Sequence, residues 1–241
     1  MWRPAARRSA DSTAPASGPE RRVYAAIHAA ILEHRLAPRT KLTEVALAEL
    51  FGVSRATVRN VLARLGHGRL VELRPNRGAR VASPSAAESR EIFAARRAIE
   101  GAIAAMAAAA ASRKDVSGLR ELVAREAAAY ARGDERAGLR RSMDFHRRLA
   151  ALAGNDVLTR FLDELVSRTP LVVLTHRGHA PSNCGIDDHL ALIEAVARHD
   201  EQHAVELMRR HIDHLERELN LHPAAPPKTL AELLGLPGTA P

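Results

Sequence analysis

Leu42-Thr-Glu-Val-Ala-Leu-Ala-Glu-Leu-Phe-Gly-Val-Ser-Arg-Ala-Thr-Val-Arg-Asn-Val-Leu-Ala-Arg-Leu65 reads as a helix, a tight turn and a second helix. In the first half Leu47 and Leu50 are spaced for one apolar face, Gly52 supplies the positive φ that ends a helix, and Ser54 is placed to cap the next one. In the second half Val58, Leu62 and Leu65 fall at i, i+4 and i+7 and are expected to pack inward. That leaves Arg55, Ala56, Thr57, Arg59 and Asn60, with the cap Ser54, for contacts outside the core. A recognition helix enters the major groove of DNA by its N-terminal residues, and arginine reads guanine edges bidentately. From spacing alone the alternative is an ordinary αα-hairpin with a solvated basic face.

The residues after the two helices favour DNA. Leu70-Val-Glu-Leu73 and Ala79-Arg-Val-Ala82 have the pattern of short strands, joined by Arg74-Pro-Asn-Arg-Gly78 with its strong turn formers. Two helices followed by a basic hairpin make a winged helix-turn-helix. Arg74, Arg77 and Arg80 then sit on the wing, where they reach phosphates or an adjacent minor groove. Upstream, a helix over about 20–35 presents Val23, Ile27 and Ile31 at i, i+4 and i+8 to brace the pair.

Charge points the same way. Residues 1–84 hold 15 Lys and Arg against 6 Asp and Glu, a net +9, and the rest holds 21 against 22, a net −1. The chain's formal +8 is therefore all N-terminal, as expected of a basic DNA-binding module joined to a near-neutral one. A membrane surface also attracts positive charge, but no basic amphipathic helix with aromatic anchors is present.

At 241 residues the chain has room for one small and one medium domain, and with aromatics at 3% their cores must be aliphatic. A single cysteine, Cys184, excludes an internal disulfide and fits a reducing compartment. The first ten residues are followed by more Ser, Pro and Ala instead of an apolar run. No signal peptide or membrane span is expected, and the expected location is cytoplasmic.

The expected organisation is a flexible arm over 1–19, a winged helix-turn-helix over 20–84, an all-helical domain over 85–220 and a flexible tail over 221–241. Ser83-Pro84 breaks the chain, and Ser85 with Glu88 forms a capping box for a new helix. From there the pattern is helical, with breaks at Ser112, Gly133-Asp134, Gly154-Asn155, Thr169-Pro170 and Pro181 to Gly185. The fold class is mainly α: the winged module plus an all-α bundle of six helices, or seven with a kink.

This order of parts resembles the GntR family of bacterial transcription regulators, in the FadR-type branch with an all-helical C-terminal ligand-binding (FCD) domain. The resemblance covers about residues 20–220. Leu47 to Leu62 is similar to the family pattern LAe-lgVSRtPvReAL, departing at Ala56, Thr57 and Asn60, where Thr, Pro and Glu are usual. Phe145-His146-Arg-Arg-Leu149 leading to Gly154-Asn155 resembles the FHraL…GN segment. Asp188-His189-Leu-Ala-Leu-Ile-Glu-Ala-Val-Ala-Arg-His-Asp200 and Met208-Arg-Arg-His211 resemble two further histidine segments.

In many such domains three histidines and an Asp four residues before the first of them bind a divalent metal. Position by position, the resemblance implies zinc, nickel or manganese on His146, His189 and His211. Ser142 stands at the Asp position, and Asp144, two residues from His146, points roughly the opposite way on a helix. Three neutral imidazoles plus water still satisfy zinc, but charge compensation is lost. His199, His203, His214 and His222 read as surface residues. Arg96, four residues before Glu100, resembles an arginine that faces the pocket in this family and would clamp a carboxylate, which implies a small organic acid as effector. An exposed i, i+4 pair with Glu100 is the alternative for Arg96, and Arg97 is equally available on spacing. Ser142 and Asn155 complete the candidate effector contacts.

The reading is a homodimeric, ligand-responsive regulator, most often a repressor in this family, with two winged modules on a pseudo-palindromic operator. The alanine-rich stretch Ile99–Ala111 is one candidate dimer surface. The alternatives are a DNA-binding regulator with a degenerate, ligand-free helical domain and a three-histidine metalloenzyme. An enzyme is not expected: there is no HExxH spacing, nucleophile elbow or phosphate loop, and Cys184 lacks a convincing partner.

Overall fold

Thr43 and Gly52 set the limits of the first helix in the Leu42–Leu65 stretch. The Thr43 hydroxyl accepts the Ala46 amide at 3.3 Å. Gly52 takes φ +63°, the left-handed conformation in which its amide reaches back to the Ala48 and Glu49 carbonyls. The computed structural model describes residues 18–74, 78–176 and 185–221. Residues 1–17 of the expected arm, the wing tip with Arg77, the segment holding Cys184 and the tail from His222 lie outside the described residues. The chain divides into two compact units between Ala82 and Ser83.

The first unit runs α1 (Gly18–Leu32), β1 (Lys41–Leu42), α2 (Glu44–Phe51), α3 (Arg55–His67), β2 (Val71–Arg74) and β3 (Gly78–Val81). Val23, Ile27 and Ile31 of α1 and Val58, Val61, Leu62 and Leu65 of α3 are buried, so both apolar stripes face the core. Leu50 does not, and is 77% exposed. The half-buried apolar residues of α2 are Leu47, Ala48 and Phe51, a face built on an i, i+4 pair, and Leu50 lies to one side of it.

The strands form an antiparallel sheet in the order β1-β3-β2. β2 and β3 are each displaced by one residue from the expected strands. β1 is too short to show a period in the sequence; it pairs Lys41 with Arg80 and Leu42 with Ala79. Gly78, at φ +79°, permits this, because a Cβ there would lie 2.4 Å from the Leu42 carbonyl oxygen.

Among the described residues the second unit is helical throughout: α4 (Ala86–Ala110), α5 (Arg113–Ala131), α6 (Glu135–Ala153), α7 (Asp156–His176), α8 (Gly185–Ala197) and α9 (Glu201–Arg217). α4 packs against α6, α7, α8 and α9, and α5 lies against α6 and α8. Gly101, Ala104, Ala107 and Ala108 on the buried side of α4 let its neighbours approach closely. Those residues are covered inside the chain, so only Ala102, Met106, Ala109 and Ala110 of the alanine-rich stretch remain outward for a partner.

Ser85 caps α4 by accepting the Glu88 amide at 3.1 Å. The reciprocal half of the expected box is replaced by an ion pair from Glu88 to Arg168. A complete capping box forms instead between Ser112 and Asp115 at the start of α5. The expected break at Thr169-Pro170 is absent, and α7 runs through Pro170. Proline removes one amide donor, but Leu171 and Val172 are fully buried and the Thr169 hydroxyl bonds the Leu165 carbonyl at 3.1 Å, so packing holds the helix. The sixth helix arises at a break that carries no Gly or Pro: His199 takes φ +56° and Asp200 accepts the His203 amide at 3.0 Å to cap α9.

The two glycines of the first unit separate backbone strain from collision. Gly52→Ala meets open space and should cost about 1 kcal/mol. Gly78→Ala adds the clash with Leu42 and should cost at least about 2 kcal/mol more. Urea denaturation of the full chain compares the two, and the opposite order would contradict the β1–β3 approach.

Candidate functional site

The N-terminal end of α3 is organised by its cap. Ser54 Oγ accepts the Thr57 amide at 3.1 Å and lies 2.9 Å from the Thr57 hydroxyl, so both side chains are engaged with the helix start. Arg55 and Arg59 project to solvent with side chains 63% and 65% exposed. Both meet Glu44 of α2. Arg59 holds it through two hydrogen bonds at 3.1 and 2.9 Å, and Arg55 lies 3.7 Å away. The hydrogen bond from Arg59 holds the Glu44 carboxyl below its usual range. Asn60 donates to Glu20 of α1 at 3.0 Å, and Ala56 is exposed.

On the sheet, Arg80 is exposed with Lys41 and Glu72 opposite it in register, and Arg74 pairs with Glu72 at 3.1 Å. Of the nine sequence-derived DNA contacts, Arg77 alone lies outside the described residues. The role of Glu44 was not legible from local spacing, since it depends on how α2 crosses α3.

In the second unit α6, α8 and α9 bring His146, His189 and His211 together, 2%, 0% and 1% exposed. One ring nitrogen from each lies within 4.8 Å of the others. Ring centroids are 5.2 Å apart for His146 and His189, 5.3 Å for His146 and His211, and 4.6 Å for His189 and His211. Phe145 stacks on His189 at 4.1 Å.

A carboxylate backs each ring. His189 Nδ1 is 2.9 Å from Glu126 Oε2, and Asp188 Oδ2 is 3.3 Å from His211 Nδ1 and 3.2 Å from His214 Nδ1. His146 Nδ1 lies 2.5 Å from Glu100 Oε2, out of line for a hydrogen bond. The Nε2 atoms of His189 and His211 are buried and have no partner among the described residues. Burial drives the His211 pKa down to about 3 against the hydrogen bond from Asp188, with the neighbouring His189, His146 and Arg96 adding to the fall. Burial likewise lowers His146, against the pull of Glu100. Asp188 is held down at about 2 by its hydrogen bond with His211, against burial. Both shifts favour the neutral ring of His146 and His211 at neutral pH, the form in which imidazole binds a metal.

Arg96 is the fourth fixed element. It forms the i, i+4 pair with Glu100, but the pair is buried, at 2.6 Å with side chains 2% and 1% exposed. Its Nη1 donates to Thr169 at 3.2 Å. Burial works to raise the Glu100 pKa, but Arg96 and His146 together outweigh it and hold the carboxyl well below the usual range. Arg96 is therefore neither an exposed ion pair nor an open clamp, because a buried guanidinium needs its counter-charge. Arg97 faces α9, pairing with Asp213 at 3.0 Å and Glu216 at 2.5 Å.

Ser142 is half-buried and offers no charge to the three rings. Asp144 lies at the surface, 3.5 Å from Arg141 and 3.9 Å from Arg147, as its spacing from His146 requires. Asn155 is corrected to a helix cap: its Oδ1 accepts the Val157 and Leu158 amides, each at 3.1 Å, because the exposed start of α7 needs acceptors. His214 shares Asp188 with His211, and His199 Nδ1 is 2.7 Å from the Ala108 carbonyl, so neither is a bystander. Spacing had a signal for Glu126 that residue type concealed. It falls on the buried stripe of α5 with Val116, Leu119 and Val123, a carboxylate at a core position.

The sequence model of the FCD domain matches residues 91–214, and that of the bacterial regulatory proteins of the gntR family matches residues 19–81. The chain belongs to the GntR family, with an FCD domain. Its relatives include the Uxu operon regulator of Haemophilus influenzae, 26% identical over 73% of this chain and 72% of that one. The repressor RspR of Escherichia coli K12 is 24% identical over 85% of this chain and 90% of its own. The repressor NanR of Enterobacter sp. strain 638 is 27% identical over 71% and 73%. Among solved structures, Escherichia coli McbR/YncC superposes with a TM-score of 0.72 at 20% identity, over 83% of this chain and 98% of that one. A GntR regulator from Rhodococcus sp. RHA1 gives 0.73 at 23%, over 84% and 97%. These two likenesses show the fold. This GntR regulator is a DNA-binding transcription regulator and not an enzyme. Among the described residues no helix is long and apolar enough to cross a membrane.

Removing one charge from the buried pair strands the other. Arg96→Met should destabilise the chain by about 3–5 kcal/mol, and adding Glu100→Leu should recover most of the loss, measured by denaturant melts. On the DNA side, Arg55→Ala and Arg59→Ala should each weaken a duplex that the chain selects from random sequence by roughly tenfold and relax one base position. Arg80→Ala should weaken all duplexes alike and lower the slope of log affinity against log salt by about 1, by fluorescence anisotropy.

Proposed function

We propose that this GntR regulator is a homodimeric repressor in the cytoplasm whose affinity for a double-stranded DNA operator is set by a small organic acid, sensed at a divalent metal on His146, His189 and His211. Residues 20–84 read the operator through Ser54, Arg55, Ala56, Thr57, Arg59 and Asn60 of the recognition helix and Arg74, Arg77 and Arg80 of the wing. Residues 85–220 hold the effector, with the arm 1–19 and the tail 221–241 outside both domains. The observation that carries the sensor reading is the set of three buried rings, two of them with Nε2 atoms that nothing among the described residues satisfies.

The donor set suits zinc, nickel or manganese. Neutral imidazoles with carboxylates behind them are oriented and made more basic by those partners. A bound metal would supply a Lewis-acidic position for a carboxylate. The chain's own contribution is to hold the rings in place, keep water out and set Arg96, already paired with Glu100, as a fixed positive charge beside them. For regulation, the acid must bind more tightly to the arrangement of the dimer that fits the operator poorly.

Elemental mass spectrometry of the purified chain tests this reading, with His189→Ala as control. About one zinc, nickel or manganese per chain, lost in the variant, is the expected result. A metal-loaded chain should also release its operator duplex on addition of one member of a panel of small carboxylic acids. No metal in the natural chain after adding it back would overturn the reading in favour of a ligand-free helical domain, to which Ser142 lends support.

A further inference from the structure

We propose that Glu126 is a positioning residue of the metal site, supplying through His189 the negative charge that Ser142 cannot. The proposal rests on the metal-sensor function. Glu126 is 1% exposed, as deeply buried as Glu100. Glu100 has the Arg96 guanidinium at 2.6 Å. Among the described residues the Glu126 side chain makes one polar contact, with Nδ1 of His189 at 2.9 Å. That partner is not a fixed cation such as the guanidinium beside Glu100, and a buried carboxylate without counter-charge is strongly disfavoured.

Charge around the rings runs the same way. Among the described residues that meet the rings or their carboxylates, Glu100, Glu126 and Asp188 stand against Arg96, a surplus of two formal negative charges about three histidines, which one divalent cation would neutralise. With Nδ1–H of His189 donated to Glu126, the lone pair sits on Nε2, the buried atom that has no partner among the described residues. The space is shared closely. A Cβ placed on Gly185 would lie 3.5 Å from His211 Cε1, 3.6 Å from His189 Cε1 and 3.9 Å from Glu126 Oε1. The carboxylate thus sits where it compensates a metal without needing the position that Ser142 occupies.

Zinc affinity of the full apo chain, measured by competition with a chromophoric chelator, tests this. Glu126→Gln keeps size and an acceptor but removes the charge. It should weaken zinc about 10–100-fold while the melting temperature of the apo chain stays level or rises, which a merely structural role would not produce. Ser142→Asp should restore at least about tenfold in the Glu126→Gln background and change affinity less than about threefold on its own, because the charge is already present. Zinc binding by Glu126→Gln within about threefold of the natural chain would overturn the proposal. So would a gain above about tenfold from Ser142→Asp alone, which decides the matter even if Glu126→Gln does not fold. A natural chain that takes up no zinc fails the metal reading itself, whereas zinc uptake indifferent to Glu126 fails this inference alone.

Discussion

The ion pair between Arg96 and Glu100 sits on α4, the helix that packs against four others, and is shut away from water. Desolvating two charges costs several kcal/mol for each ion, and only close geometry with further polar contacts offsets it. Thr169 supplies one such contact to the guanidinium and His146 lies against the carboxylate. Once that pair occupies the bundle interior, its surroundings must be polar without adding unbalanced charge. Histidine meets the requirement, because burial keeps the rings of His146 and His211 neutral. The carboxylates of Glu126 and Asp188 then fix the rings of His189 and His211 through Nδ1. What remains is a dry set of lone pairs at mutual distances that suit a single ion.

The first unit handles charge in the opposite way. Its arginines are solvated, and their nearest partner, Glu44, is a surface carboxylate that exchanges readily with other anions. Giving up the Glu44 contacts of Arg55 and Arg59 exposes no buried charge. Rigidity comes from elsewhere: the Thr43 and Ser54 caps, the left-handed turn at Gly52, and β1 closing against β3 over Gly78.

Much of this was legible in the sequence because it is governed by neighbours along the chain. The cap at Ser54, the glycine turn, and the stripes of α1 and α3 follow from spacing of three to four residues, and the net +9 of residues 1–84 follows from composition. Local rules failed where packing outweighed them. Pro170 reads as a break and is carried through α7 by buried neighbours, His199 and Asp200 end a helix without Gly or Pro, and Asn155 reads as a pocket residue but caps α7.

The winged helix-turn-helix and the helical character of the second unit are written in the order of residues, since each is a property of residue type at a short repeat, whereas the three histidines stand out through the resemblance of their segments to the family. Which side chains meet is a matter of packing. Glu44 with Arg59, Glu126 with His189 and Asp188 with His211 are 15, 63 and 23 residues apart in the chain. No periodicity links such pairs, because their distance is set by how helices cross. The physical reason extends to Arg96: whether it is a solvated pair or a buried charge depends on desolvation, and desolvation is a property of the packed bundle.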